Sequence, residues 1–162
     1  MRKGFTMIEL IFVIVILGVL ASVAIPRLAA TRDDAEVAKA ATNLTTAVSD
    51  ITAYYTAKGS FASSVQNDFT KITNALDKSG KLNVKGSKTC VTVKLPNTAT
   101  QQKSGAVNLT LTFNKSQDPV CKQLAKLPGI LTMCKVDTTT NTNAEAPDTC
   151  EIQIGGSGGI QF

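Results

Sequence analysis

One carboxylate lies near the start of a long apolar run. The run covers residues 7–25, and Glu9 is the only charged residue in it. A charge at the centre of a membrane-spanning helix costs roughly 2.5–3.5 kcal/mol on insertion scales, so such a residue usually has a function. Packed apolar helices also penalise an unpaired charge. We therefore expect Glu9 to have a cationic partner. The alternative is an acid at the membrane interface whose side chain extends to the headgroups.

The rest of the chain offers little for catalysis or metal binding. It has no histidine, which removes the usual general base and the commonest metal ligand. Its serines and cysteines would be weak nucleophiles without such a base. The glycine-rich segment 155–159 has no helix after it to bind a phosphate and is interpreted as a flexible tail. We expect no enzyme activity, no cofactor and no metal, and interpret Asp137, Glu145 and Asp148 as ordinary loop polarity rather than calcium ligands.

The charge of the chain is mildly positive and scattered. Seventeen basic and twelve acidic side chains give a formal net charge of +5, without the clustered stripe of a dedicated nucleic-acid binder. One local group of charges follows the apolar run. Its members could pair between copies of the chain, but a solvated collar is the simpler interpretation; they are Arg27, Arg32, Asp33, Asp34, Glu36 and Lys39.

The apolar run is long enough to anchor the chain in a membrane. Nineteen residues form a helix of about 28 Å, close to the roughly 30 Å of a hydrocarbon core. A cleaved signal peptide has a shorter apolar core, although residues 21–24 offer a passable cleavage site. Arg2 and Lys3 would hold the short end in the cytoplasm by the positive-inside rule. The bulk of the chain would then lie outside the cytoplasm.

Four cysteines lie in the second half of the chain, at Cys90, Cys121, Cys134 and Cys150. An even number beyond an export signal predicts two disulfides in an oxidising compartment. Three pairings are possible. We favour Cys90–Cys121 with Cys134–Cys150, because each bridge then joins neighbouring elements.

An amphipathic helix is predicted to continue beyond the anchor. Apolar residues recur at steps of four and three, which is typical of one buried helix face: Val37, Ala41, Leu44, Val48, Ile51 and Tyr55. Gly59 is a plausible C-cap. A helix over residues 5–58 would be about 80 Å long.

The remaining residues predict a small α+β head. We expect a short helix within 60–80, with Val65, Phe69, Ile72 and Leu76 on one face, and another over 117–127 that stops at Pro128 and Gly129. Alternation predicts strands over 90–95, 107–113, 130–136 and 150–154, with a turn at 103–105 and an exposed loop over 137–147. A long helix laid on a small antiparallel sheet is the expected architecture.

The first ten residues, MRKGFTMIEL, resemble the start of a type IV prepilin. That family includes pilins and the pseudopilins of secretion and DNA-uptake machines. The resemblance implies cleavage between Gly4 and Phe5 by an inner-membrane prepilin peptidase, which also N-methylates Phe5. It implies that Glu9 pairs with the amine of Phe5 from a neighbouring subunit. Gly18 and Pro26 match the family's glycine and proline positions, where the helix can unwind, although Gly18 could instead allow close helix packing.

The resemblance also implies a division of the chain and a pilin fold. Residues 1–4 would be the cleaved leader, 5–26 the transmembrane and filament-core helix, and 27–58 the amphipathic half of the helix. Residues 59–162 would form the globular α+β head with its two disulfides. The chain would sit in the bacterial inner membrane as a single-pass protein, with the N-terminus cytoplasmic and the head periplasmic, and then join a periplasmic or surface filament.

The expected function is structural. The chain would be a subunit of a type IV pilus-like or type II secretion pseudopilus filament, polymerised with itself or with other pilins. Its partners would be the prepilin peptidase, the inner-membrane assembly platform and the ATPase of that platform. The alternative is a minor competence pilin that binds DNA during uptake, and DNA is a possible but not an indicated partner. A membrane-tethered enzyme is a third class, which the absence of histidine argues against.

Overall fold

The structure, a computed structural model, describes residues 4–96, 105–137 and 143–156. The chain divides into two compact units, Met1–Ala35 and Glu36–Phe162. Its architecture is α+β and pilin-like, with one long N-terminal helix followed by a small antiparallel sheet. This is the fold class that the sequence predicts.

The first unit consists of the beginning of helix α1, which spans Met7–Lys58. The helix begins two residues later than expected, because Thr6 forms its N-cap, as described below. Large apolar side chains from Phe5 to Leu28 are 42–86% exposed in the isolated chain. Within the described residues of this unit, no other part of the unit covers this surface.

The second half of α1 supplies one wall of the core of the head. Val37, Leu44 and Ile51 are buried as the periodicity predicts, whereas Ala41, Val48 and Tyr55 are only partly buried. Ala40 and Ala47 are buried as well. The buried face of the helix therefore includes two small residues that the sequence prediction did not place on it. The helix ends at Lys58. The next residue, Gly59, makes the predicted C-cap, because its φ is 71° and its N–H donates to the carbonyl of Tyr55 at 2.7 Å.

In the part of the chain that the structure describes, the sheet has four antiparallel strands in the order β1-β2-β3-β4. They are β1 Lys81–Val84, β2 Lys88–Lys94, β3 Ala106–Phe113 and β4 Thr149–Gly156. Along β3 every second side chain is buried, so one face of the sheet joins the core with α1. Three of the strands were predicted, but β1 was not. The predicted turn at 103–105 lies outside the described residues except for Gly105.

The short helices differ from the prediction in two places. Residues 60–80 contain helix α2, Ser63–Gln66, and a 3-10 turn, Phe69–Lys71, rather than one continuous helix. The predicted strand over 130–136 is wrong, because helix α4, Pro128–Met133, occupies most of that segment. Proline at the first turn starts this helix, since its missing N–H is not needed there. The preceding helix, α3, spans Pro119–Leu124 within the predicted helical segment.

Two disulfides fasten these helices to the sheet. Cys90 on β2 is bonded to Cys121 on α3, and Cys134 just after α4 is bonded to Cys150 on β4. This is the pairing that the sequence favours. Cys90 and Cys121 are both buried in the core, whereas Cys134 is only partly buried.

The interpretation of the whole segment 155–159 as a flexible tail is wrong for its first two glycines. Gly155 and Gly156 lie in β4. The ring of Tyr55 packs where a side chain at Gly155 would stand, and Gly156 has a φ of 85°. Both positions therefore need glycine to close the end of the sheet.

Candidate functional site at the start of α1

Thr6 and Glu9 form a reciprocal cap at the beginning of α1. The backbone N–H of Thr6 donates to Oε2 of Glu9 at 2.9 Å, and the Thr6 hydroxyl donates to the same oxygen at 2.7 Å. The backbone N–H of Glu9 reaches the Thr6 hydroxyl oxygen at 3.4 Å. A Ser or Thr followed three residues later by Glu is the capping-box pattern. The carboxylate also favourably meets the positive end of the helix dipole.

The cap uses only one of the two oxygens of the Glu9 carboxylate. Both bonds from Thr6 end on Oε2, and Oε1 has no hydrogen-bond or ion-pair partner within the described residues. The carboxylate can therefore hold its own helix start with one oxygen and accept a donor from another molecule with the other. The Glu9 side chain is exposed, so such a donor can approach it.

The bond between Gly4 and Phe5 lies just outside the helix. Residues 4–6 have no regular secondary structure, and Gly4 and Phe5 are both exposed. Among the described residues, nothing lies within 4 Å of the position where a side chain on Gly4 would begin. A peptidase could therefore bind this segment without unwinding α1.

The apolar part of α1 has the length and composition of a membrane span, and none of it is buried in the described structure. Its one hydroxyl side chain beyond Thr6, that of Ser22, donates to the carbonyl of Val19 at 2.7 Å and so is satisfied without water. Gly18 has open space around it. Pro26 lies inside the helix and has no N–H to donate to the carbonyl of Ser22.

Comparison with known families finds a match at the start of the chain. The family model described as the prokaryotic N-terminal methylation motif matches residues 1–25. The chain carries the N-terminal motif of type IV pilin-like proteins. No curated protein and no solved structure matches the chain.

The motif indicates a coarse role for the chain. It indicates a structural subunit rather than an enzyme, and it implies processing by a prepilin peptidase and polymerisation with other pilins. With the apolar helix, it fits a single-pass pilin anchored in the inner membrane. The methylation motif and the two disulfides are as expected from the sequence.

The remaining candidate residues do not lie together in one site. Glu145 pairs with Lys126 at 3.1 Å and Asp148 with Lys115 at 3.0 Å. The hydrogen bond from Lys126 lowers the pKa of Glu145 below its ordinary value. Over the described ranges, no three His, Cys, Asp or Glu side chains form a group that could hold a metal ion.

Sequence reasoning missed Thr6 as a functional residue. The signal was present, because Thr6 precedes an apolar helix and Glu9 follows it by three residues. A capping box is defined by that spacing. The interpretation of Glu9 as an intersubunit residue alone left its role within its own chain unconsidered.

Proposed function

We propose that the chain is a structural subunit of a type IV pilus-like or type II secretion pseudopilus filament, cut between Gly4 and Phe5 and N-methylated on Phe5. The observation that carries the proposal is the Glu9 carboxylate, which lies one helical turn beyond the cut with its Oε1 oxygen unoccupied. It stands at the start of an uncovered apolar helix, the surface that a filament core requires.

The exposed apolar surface has two natural environments. In the membrane lipid covers it, and in a filament the same segment of neighbouring copies covers it. Lipid tails are as apolar as leucine side chains, so leaving the bilayer gains little hydrophobic free energy. Packing and polar contacts must therefore drive assembly, and the single carboxylate supplies the strongest polar contact in the span.

The new N-terminus is the proposed partner of Glu9. Cleavage after Gly4 creates an amine on Phe5, and this amine stays charged after methylation. In the filament, that amine of one copy binds Oε1 of Glu9 in its neighbour. The uncut chain has no amine there, so cleavage and assembly are linked. An unpaired carboxylate between packed helices would cost several kcal/mol, on the order of the penalty for one buried ion.

Gly18 and Pro26 give the proposed filament a weak segment. Glycine lowers helix stability by about 1 kcal/mol relative to alanine. Pro26 removes the hydrogen bond that the carbonyl of Ser22 would otherwise accept. The segment between them unwinds when the filament is stretched or packed, whereas the open space at Gly18 also suits close packing against another helix.

The division of the chain follows the same proposal. Residues 1–4 are the leader, 5–26 cross the membrane and later form the filament core, 27–58 carry the head, and 59–162 are the head. Arg2 and Lys3 keep the N-terminus cytoplasmic, which places the head in the periplasm. An assembly platform and its ATPase supply the work of extraction.

The experiment that tests this proposal is intact mass spectrometry of the mature protein, combined with electron microscopy of sheared cell-surface and periplasmic fractions. We expect a chain that begins with N-methylated Phe5 and is present in filaments. A mature chain with any other N-terminus, or one found only as dispersed membrane protein, would overturn it. Deletion of the chain, followed by assays of exoprotein release, twitching and transformation, assigns the machine.

The competence alternative stays a prediction. Lys115 and Lys126 in the head are paired with carboxylates, which reduces their availability to phosphates. A DNA-binding head would show affinity that falls steeply with rising salt. Titration of labelled duplex DNA at several salt concentrations tests it.

A further inference from the structure

Three Asn-x-Ser/Thr triplets occur in the chain, at Asn43, Asn108 and Asn114. This triplet is the acceptor sequence for an N-linked glycan in proteins that leave the cytoplasm. The pattern is short and arises often by chance, so the sequence gives all three triplets equal standing. The fold separates them, because the transferring enzyme must bind both the asparagine amide and the hydroxyl two residues later.

Two of the triplets lie inside regular secondary structure. Asn43 is half-buried in α1, and the hydroxyl of Thr45 donates to the carbonyl of Ala41 at 2.9 Å. Asn108 is half-buried in β3, which pairs there with β4, and its amide donates to Oε2 of Glu151 at 3.0 Å. In each case, one of the two groups that the enzyme must bind is already used within the chain.

The third triplet lies in a turn. Asn114 follows β3 and begins the turn over residues 114–117, in which the N–H of Gln117 donates to the carbonyl of Asn114 at 3.4 Å. Asn114 and Ser116 are both exposed, and within the described ranges neither side chain has a hydrogen-bond partner. The amide and the hydroxyl of this triplet are therefore both available to an enzyme.

The turn holds these two side chains in place. The N–H of Asn114 donates to the carbonyl of Cys90 at 2.7 Å, and Nζ of Lys115 contacts Oδ1 of Asp148 at 3.0 Å. Lys115 is half-buried, whereas the residues on either side of it are exposed. The middle residue of the triplet is thus fixed to the head, and the two residues that an enzyme would bind face solvent.

A glycan on Asn114 would lie away from the buried face of α1. Every second residue of β3 is buried in the core that the strand shares with α1, and this alternation ends with Phe113. Asn114 is the next residue, and it is exposed on the side away from that core. A bulky, solvated group at this position therefore enlarges the outer surface of the head without disturbing its packing on the helix.

We propose that Asn114 carries an N-linked glycan. The donor is a glycan attached to a lipid pyrophosphate, and the enzyme is an oligosaccharyltransferase that acts outside the cytoplasm. The amide nitrogen of Asn114 attacks the anomeric carbon of the donor and forms a C–N bond. The bond from that carbon to the pyrophosphate oxygen breaks, the electron pair leaves with the lipid pyrophosphate, and the amide loses one proton. The inference rests on the proposed function for the location of the head.

Mass spectrometry of the intact chain, purified from the cells that naturally produce it, tests the site. We expect the wild-type chain to carry the mass of a glycan and N114Q to lose all of it. N43Q and N108Q are the matched controls and should retain it, because their triplets lie in a helix and in a paired strand. An unmodified wild-type chain, or a glycan mass that persists in N114Q, would overturn the site.

Variants of Ser116 test whether the triplet itself is recognised. S116A should lose the glycan, and S116T should keep it, because threonine retains the hydroxyl. S116A should unfold at the same temperature as the unmodified N114Q chain, since the hydroxyl has no partner within the described ranges. A glycan that persists in S116A would contradict recognition of the triplet. Filaments built from an unmodified wild-type chain would overturn this inference and leave the proposed function standing, whereas a head found in the cytoplasm would overturn both.

Discussion

Glu9 combines two tasks that a single carboxylate can perform with its two oxygens. Oε2 accepts both bonds from Thr6 and begins the helix, and Oε1 is left for a partner outside the chain. The cap fixes the side chain before any partner arrives, so less rotamer freedom is lost on pairing. This arrangement gives the acid two interactions in a segment where an unpaired carboxylate would only raise the free energy.

Removal of the Thr6 hydroxyl tests whether the cap positions Glu9. T6A loses the side-chain bond to Oε2 and the acceptor for the Glu9 N–H. Loss of such a cap costs about 1 kcal/mol, close to a fivefold change in an equilibrium constant. We expect T6A to give fewer filaments than wild type on immunoblots of sheared fractions, with an unchanged N-terminal mass.

T6S is the matched control for T6A, because serine retains the hydroxyl and caps helices as well as threonine. It should assemble at the wild-type level. Equal filament amounts from T6A and wild type would show that the cap does not position Glu9.

At the scale of elements, helix α3 is held by several interactions despite its six residues. Cys121 bonds it to β2, and Asp118 caps its start by accepting from the N–H of Val120 at 3.0 Å. Lys85, at the turn after β1, pairs with Asp118 at 3.1 Å. The bond from Val120, together with Lys85, lowers the pKa of Asp118 despite partial desolvation.

This lowered pKa makes part of the stability of the head depend on pH. A carboxyl whose pKa is lower in the folded chain stabilises the fold above its unfolded pKa, near 3.9, and the contribution is lost as the pH falls through the folded pKa. We expect D118N to lose less thermal stability than wild type between about pH 6 and about pH 3. Circular dichroism of the full chain in detergent measures it.

Asparagine caps helices about as well as aspartate, so D118N removes the charge and keeps the cap. The variant should therefore be folded at neutral pH. An identical loss of thermal stability in D118N and wild type over the acid range would contradict the role given to Asp118.

The elements also show what periodicity can and cannot predict. Strands β2 and β3 and the buried face of α1 follow alternations long enough to be recognised. Strand β1 has only two buried side chains, Leu82 and Val84, and its strand form depends on pairing with β2. Helix α4 was mistaken for a strand because its apolar residues are consecutive, and Pro128 was interpreted as a stop rather than a start.

At the scale of the whole molecule, the two disulfides differ in their access to solvent. Cys90 and Cys121 are both buried in the core, whereas Cys134 is partly exposed. Limited reduction of the folded chain should therefore open Cys134–Cys150 first. Alkylation of the released thiols, followed by peptide mapping, measures the order. Earlier labelling of Cys90 and Cys121, or peptides linked in another pairing, would contradict this arrangement.

The sequence alone predicts more of the candidate site than of the structure of the head. Gly4, Phe5 and Glu9 are recognisable because a short linear motif carries them, and the motif match covers those residues. Thr6 was recognisable as well, because its spacing of three residues from Glu9 is the capping-box pattern, and the hydrogen bonds of the structure show that the cap forms. The proposed partner of Glu9 belongs to another copy of the chain, so a single sequence or a single chain does not contain it.

The central claim is that Glu9 is needed as a charge and not only as a helix cap. The variant E9Q separates these roles, because glutamine can replace glutamate in a capping box but cannot form an ion pair. E9A removes both. The measurement is the amount of filament in sheared fractions of cells that produce wild type, E9Q or E9A, with the N-terminal mass recorded for each.

We expect all three proteins to be cut after Gly4, and we expect E9Q to lose filaments as completely as E9A, because neither can bind the amine of Phe5 as a counter-charge. Wild-type amounts of filament from E9Q would contradict this account and leave Glu9 with the cap alone.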